Sequence, residues 1–318
     1  MEGIRTAVAE HAASVRAVTA IGLALAARVE GRPIDDLVAA RIKDVLDAIG
    51  VAEETVETSD PIALAPLLAD IRADLLSGSA LLSDPSRAGS WRQEDEALHQ
   101  AFGGVSAGFA GLLHDHLALQ LDGLLERLAS PEARFLDIGT GVGALSIGMA
   151  RRWPKLRVTG IDPLPQVIEL ARRNVASAGV ADRITLRVER GEEISERQAF
   201  DLVFVPSAFI PGMALEAVVR CGAAALKPGG WLLLVILGPN LDGLATALAR
   251  FRVSTWGGTY LTEDAGVTLL SRCGLADARH LLGRPGAPFG FAAGRRHGKG
   301  HTEPSTYSLT DPEHMPGL

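Results

Sequence analysis

The stretch Phe135-Leu136-Asp137-Ile138-Gly139-Thr140-Gly141-Val142-Gly143 limits what this chain can fold into more than any other. Phe135 to Ile138 is short and apolar apart from Asp137. Three glycines then fall within five positions, and Ala144 to Arg152 reads as a helix. A buried strand, a glycine turn and a helix start together make a ligand cradle. Glycine accepts positive φ and lets backbone approach a ligand closely. The helix start offers N–H groups with no intrahelical partner. The same pattern also serves as a plain α/β turn, so the rest of the chain has to decide.

From Ala133 onward, short apolar runs alternate with helical patterns, which predicts a doubly wound parallel sheet. Expected strands are 135–138, 157–161, 184–188, 200–205 and 231–236, with a closing pair at 278–282 and 289–293. Helices are expected over 164–178, 213–226, 242–252 and 263–273. Residues 1–130 read as helical. The clearest case is Ile34, Leu37, Val38, Ile42, Val45, Leu46 and Ile49, which form one apolar stripe ended by Gly50. Asp60 reads as an N-cap with Pro61 in the first position of a helix that Gly78 closes. Residues 53–60 and 83–90 read as loop, and Gly103-Gly104 reads as a helix break. After Gly294 the composition is that of a disordered tail. The expected division is 1–130, a helical cap or dimerisation region; 131–296, the sheet domain; and 297–318, the tail.

Two details of the glycine turn are informative. Gly139, Gly141 and Ala144 satisfy a loose G-x-G-x-x-A dinucleotide pattern. However, Asp137 precedes the first glycine by two residues, and Gly143 follows Gly141 after a single spacer. Leu-Asp-Ile-Gly-Thr-Gly-Val-Gly resembles the first motif of class I S-adenosylmethionine (SAM) methyltransferases. The resemblance covers about residues 133 to 295. It implies a Rossmann-like methyltransferase sheet with an antiparallel final strand, here beneath an N-terminal helical cap. It implies that Gly139, Thr140, Gly141 and Gly143 pass under the methionine and ribose of SAM, with Asp137 facing the cationic amino group. Asp162, about twenty residues further on, would accept hydrogen bonds from the ribose hydroxyls. Pro163 would flank the adenosine, and Pro206 would lie beside the transferable methyl. Relatives often carry an acid after the third strand that reaches adenine. Arg190 falls at that spot here, so Glu189 is the candidate substitute. Leu226-Lys227-Pro228-Gly229-Gly230-Trp231 resembles a later structural turn of the same family.

Net charge is −7 and there is no long basic stripe, which argues against nucleic acid as partner. The Asn-Pro-Pro-aromatic motif of amino-methylating enzymes is absent, and so is an acidic metal cluster; no metal is expected. The acceptor is therefore expected to be a small molecule methylated at oxygen or nitrogen. Aromatic residues make up only 5% of the chain, so each one near the strand ends carries weight. Trp91, Phe102, Phe109, Ser207, Phe209 and Trp256 are the candidate acceptor wall. His99 and Tyr260 are the candidate bases. His114 and His116 would point to opposite sides of a helix and cannot share a metal. Cys221 and Cys273 form no metal or disulfide spacing, which suits a cytoplasmic protein. The apolar run at 17–27 is too short to span a membrane. The apolar stripes before residue 130 must pack on each other, on the sheet domain or on a second copy of the chain. Two other functions remain open: a SAM-binding protein that does not methylate, and a nicotinamide-dependent oxidoreductase, although no Tyr-x-x-x-Lys pair is present.

Overall fold

The computed structural model describes residues 1–89, 95–237, 243–283 and 289–297. Trp91, part of the helix start expected at 242 and nearly all of the expected tail lie outside them. Seven strands form one sheet: β1 Arg134–Ile138, β2 Arg157–Asp162, β3 Ile184–Val188, β4 Phe200–Val205, β5 Leu226–Leu237, β6 Ala276–Leu281 and β7 Phe289–Arg295. Their spatial order is β3-β2-β1-β4-β5-β7-β6. The pairs among β1 to β5 are parallel, and β7 inserts antiparallel between β5 and β6. The chain reverses direction across the sheet at β1 and β4. This is the switch point beyond whose carboxyl ends open α/β sheets bind ligands.

Helices α1 to α7 precede the sheet: Glu2–Glu30, Asp36–Ala48, Glu53–Thr58, Pro61–Ser83, Glu96–Ala107, Phe109–Leu112 and Leu124–Ala129. Then come α8 Ala144–Arg152, α9 Pro165–Ser177, α10 Gly212–Ala225, α11 Gly243–Thr255 and α12 Glu263–Arg272. One sheet face buries Phe135, Leu202 and Leu233 against α8 and the segment 110–128; the other buries Leu136, Val203 and Leu234 against α10 and α12. Fully buried strands flanked on both sides by helices account for the continuous apolar runs in the sequence.

The N-terminal helices depart from expectation where tertiary packing overrides local signals. Residues 53–58 are a short helix rather than loop. Asp60 caps α4 as expected, accepting from the Ile62 N–H at 3.0 Å. The helix then continues through Pro66 and Gly78 to Ser83. Leu64, Leu68 and Ala69 are buried along it, and this packing outweighs the proline defect. Gly103 and Gly104 do not break α5. A Cβ on Gly104 would come within 2.5 Å of Ala69, and one on Gly103 within 2.1 Å of Val142. The missing side chains let α5 wedge between α4 and the glycine turn. The stripe expected over 109–128 divides into α6, a π turn at Leu113–Leu117, a 3-10 turn at Ala118–Gln120 and α7. In α1, Ile4, Val8 and Val15 are each more than half exposed. At 29 residues this helix is long and apolar enough to cross a membrane by length and composition, and only 11% of its most apolar window is buried. The shorter run 17–27 read from the sequence misses this length.

At the amino ends of the strands a buried carboxylate binds four elements together. Asp201 on β4 pairs with Arg127 of α7 at 3.0 Å and Lys227 of β5 at 2.6 Å, and accepts from the Arg134 N–H of β1 at 2.9 Å. Removing its charge leaves two cations facing each other in a confined space. Asp201→Asn is expected to lower unfolding free energy by about 3 kcal/mol in a urea titration. Ligand affinity at the opposite end of the sheet should stay unchanged.

Candidate cofactor and acceptor site

The glycine turn leaves β1 beside the end of β4. Gly139, Gly141 and Gly143 have φ of 66°, 55° and 81°, all left-handed. A Cβ on Gly139 would lie 3.2 Å from Pro206, so the two strand ends abut there. A Cβ on Gly141 would meet nothing within 4 Å, because that position opens on the space above the turn. The Thr140 N–H donates to the Ile161 carbonyl at 2.9 Å and ties the turn to β2.

Asp137 lies beneath this turn and is 1% exposed. Its Oδ2 accepts from Thr140 Oγ1 at 2.8 Å and Ser146 Oγ at 2.6 Å. Burial pushes its pKa from 3.8 up to about 6, against these hydroxyls and with help from the nearby Asp162 charge. Asp162 is itself buried. Its two oxygens accept from the Gly141 N–H at 3.1 Å and the Leu164 N–H at 3.0 Å. Burial raises its pKa, and the backbone donors and the neighbouring His99 oppose the rise. Two desolvated carboxylates below an open glycine turn suit a cationic ligand that carries hydroxyl groups, and SAM fits that description. Pro163, between Asp162 and Leu164, is exposed at the rim.

Helix α5 roofs this end of the site. Gln100 exchanges hydrogen bonds with Asn174 of α9, and Asn174 donates to the Val142 carbonyl at 2.9 Å. His99, a candidate base, is buried and lies near enough to Asp162 to oppose the rise of its pKa. The carboxylate of Glu189, the adenine candidate, is ion-paired with Arg187 at 2.8 Å, and Arg187 also holds Glu196 at 2.5 Å. A Cβ on Gly191 would lie 2.9 Å from Val218 of α10 and 3.1 Å from Ile138, so the turn Gly191–Glu193 packs against α10.

The acceptor side is a wall of rings. Phe209 and Trp256 stack at 4.6 Å and 11°, and Phe102 meets both edge-on at 5.9 and 5.1 Å. Phe289 lies 6.4 Å from Trp256. The loop after α11 reaches β4 because a Cβ on Gly258 would sit 1.7 Å from the Ala208 carbonyl oxygen. Thr259 then donates its N–H to Ser207 at 2.9 Å and its hydroxyl to Ile210 at 2.7 Å. The Ser207 hydroxyl is taken up by the Val235 carbonyl at 2.5 Å, which gives this residue a structural role. Phe109 packs on Phe204 and Phe291 at 4.9 and 5.0 Å, apart from the ring cluster. Tyr260 borders the cluster, with the Arg250 guanidinium 4.9 Å over its ring. The cavity there is only about 10 Å³, room for roughly one water.

Residues 135–230 match the methyltransferase domain family. These residues carry a methyltransferase domain. A ubiquinone biosynthesis O-methyltransferase from Xanthomonas campestris pv. campestris (strain B100) is 36% identical over 139 residues, covering 43% of this chain and 56% of that protein. This chain thus spans about half the length of that curated relative. The solved mitomycin 7-O-methyltransferase is 19% identical with a TM-score of 0.59, covering 93% of this chain and 100% of that one. Human N-acetylserotonin methyltransferase, solved with SAM, is 16% identical with a TM-score of 0.55, covering 92% of this chain and 98% of that one. These two likenesses establish the fold, the N-terminal helices included.

Sequence reasoning missed Ser146 as the second donor to Asp137. Its place in the first turn of the methyltransferase helix α8, with a small hydroxyl aimed back at the turn, was the available signal. The protonation of Asp137 gives the domain a pH dependence. A buried acid with a raised pKa favours the folded apo state most in acid, and that contribution is lost as pH rises from about 4 to about 6. A bound ammonium group prefers the carboxylate, so ligand binding draws the pKa back down. Affinity for adenosylhomocysteine, which keeps the amino group, should be level above about pH 7 and fall up to tenfold per pH unit below about pH 6. Calorimetry across that range tests this, and Asp137→Asn should flatten the profile.

Proposed function

We propose that this protein is a SAM-dependent methyltransferase that methylates a hydroxyl or amino group of a small, partly aromatic molecule. The observation that carries the reading is the pair Asp137 and Asp162, buried carboxylates flanking an open glycine turn. The O-methyltransferase names of the relatives favour oxygen as acceptor atom. SAM supplies a methyl group on a sulfonium, and the chain's own task is alignment and exclusion of water. Asp137 holds the amino group, Asp162 the ribose hydroxyls, and the glycine turn approaches the backbone of the ligand. Pro206 closes the side toward β4, and the Phe102, Phe209 and Trp256 rings form the wall that an apolar acceptor would meet. If the acceptor arrives protonated, Tyr260 is the group at the wall able to take its proton.

We also read the chain as cytoplasmic and as pairing with a second copy of itself. The half-buried free thiols Cys221 and Cys273 support the first, and the exposed apolar residues of α1, α2 and α4 support the second.

Asp162→Ala is expected to weaken adenosylhomocysteine binding by roughly 1.5–3 kcal/mol, about ten- to a hundredfold. Phe209→Ala should raise acceptor KM or lower kcat and leave cofactor affinity nearly intact. Equal loss of cofactor affinity in both variants, or no change from Phe209→Ala in either ligand, would refute this division of the site.

A further inference from the structure

Arg252 on α11 projects into the edge of the ring wall. Its guanidinium lies 5.0 Å over Trp256 and 6.0 Å over Phe289. Its Nη2 is 2.6 Å from Asp70 and 3.1 Å from Asp74, both on α4. The side chain is 19% exposed, and its Nε is buried without a hydrogen-bond partner. A buried charged donor left unpaired is among the more expensive defects a fold can retain. Here it lies beside the aromatic surface assigned above to the acceptor. The local charge narrows the ligand further. Two carboxylates face one guanidinium, so the cluster carries a net −1. An added carboxylate would bring a third negative charge to a guanidinium already shared by two, and would lose its own hydration against the rings. A neutral oxygen accepts the N–H without that penalty.

We propose that Arg252 is a specificity residue, donating its Nε–H to a neutral carbonyl oxygen on a planar aromatic acceptor. The acceptor is an aryl ketone, amide or ester whose ring lies against Phe209 and Trp256, and its carboxylate counterpart is rejected by Asp70 and Asp74. This inference rests on the methyl-transfer reading. It adds that the same wall selects by charge as well as by shape.

The test uses the full chain saturated with adenosylhomocysteine, titrated calorimetrically with 3,4-dihydroxyacetophenone and with 3,4-dihydroxybenzoate. The two probes share the ring and both hydroxyls and differ in the group offered to Arg252. The ketone should bind at least about tenfold more tightly, the scale of one hydrogen bond to a charged donor. Arg252→Lys keeps a cation beside Asp70 and Asp74 and removes the Nε–H. It should weaken the ketone about tenfold while adenosylhomocysteine affinity holds. Asp74→Asn should strengthen the carboxylate and narrow the gap. Equal or tighter binding of the carboxylate, no binding of the ketone, or an unchanged ratio in Arg252→Lys would each overturn the proposal. Failure of adenosylhomocysteine itself to bind is a separate outcome; it removes the methyl-transfer reading and this inference with it.

Discussion

The carboxyl end of this sheet depends on keeping Asp137 out of water beneath the glycine turn. A carboxylate at 1% exposure is tolerable only with donors, and Thr140 and Ser146 supply them from the two sides of the turn. That requirement fixes where the turn sits relative to α8. Asp162 then fastens the middle of the turn from β2 through the Gly141 N–H. The turn is therefore built before any ligand arrives, held by two acids whose charge burial disfavours. A cation entering above them gains from both. The geometry for binding and the drive for binding thus come from the same two residues.

The acceptor side obeys a different constraint. It is assembled from parts far apart in the chain: Phe102 from the helical region, Phe209 from the end of β4 and Trp256 from the end of α11. Gly258 allows the last two segments to touch, and Thr259 fastens them. Arg252 links this wall to α4 through Asp70 and Asp74. Gly103 and Gly104 serve the same end by bringing α5 within contact of the glycine turn on one side and α4 on the other.

The parallel strands were readable to within a few residues because each is a short apolar run ended by glycine, proline or charge. The glycine turn and the placement of Asp137 and Asp162 beside it were readable because these positions lie near one another in the chain. What could not be read depends on distant partners. Gly103-Gly104 looks like a break until Ala69 and Val142 are in place to fill the missing side chains. Gly78 looks like a stop until the helix it interrupts is seen packed. The ion pair of Arg252 with Asp70 spans 182 residues, and no local pattern announces it. The ion pair of Glu189 with Arg187, two residues earlier, also went unread.

The most direct measurement of the central claim is a paired calorimetric titration of the full chain with adenosylhomocysteine and with NAD near neutral pH. Both ligands place an adenosine over a glycine turn, and only the first presents a cationic amino group to Asp137. Saturable binding of adenosylhomocysteine in the micromolar range, weakened but still measurable in Asp137→Asn, with no binding of NAD, is the predicted result. Binding of NAD without adenosylhomocysteine would contradict the account.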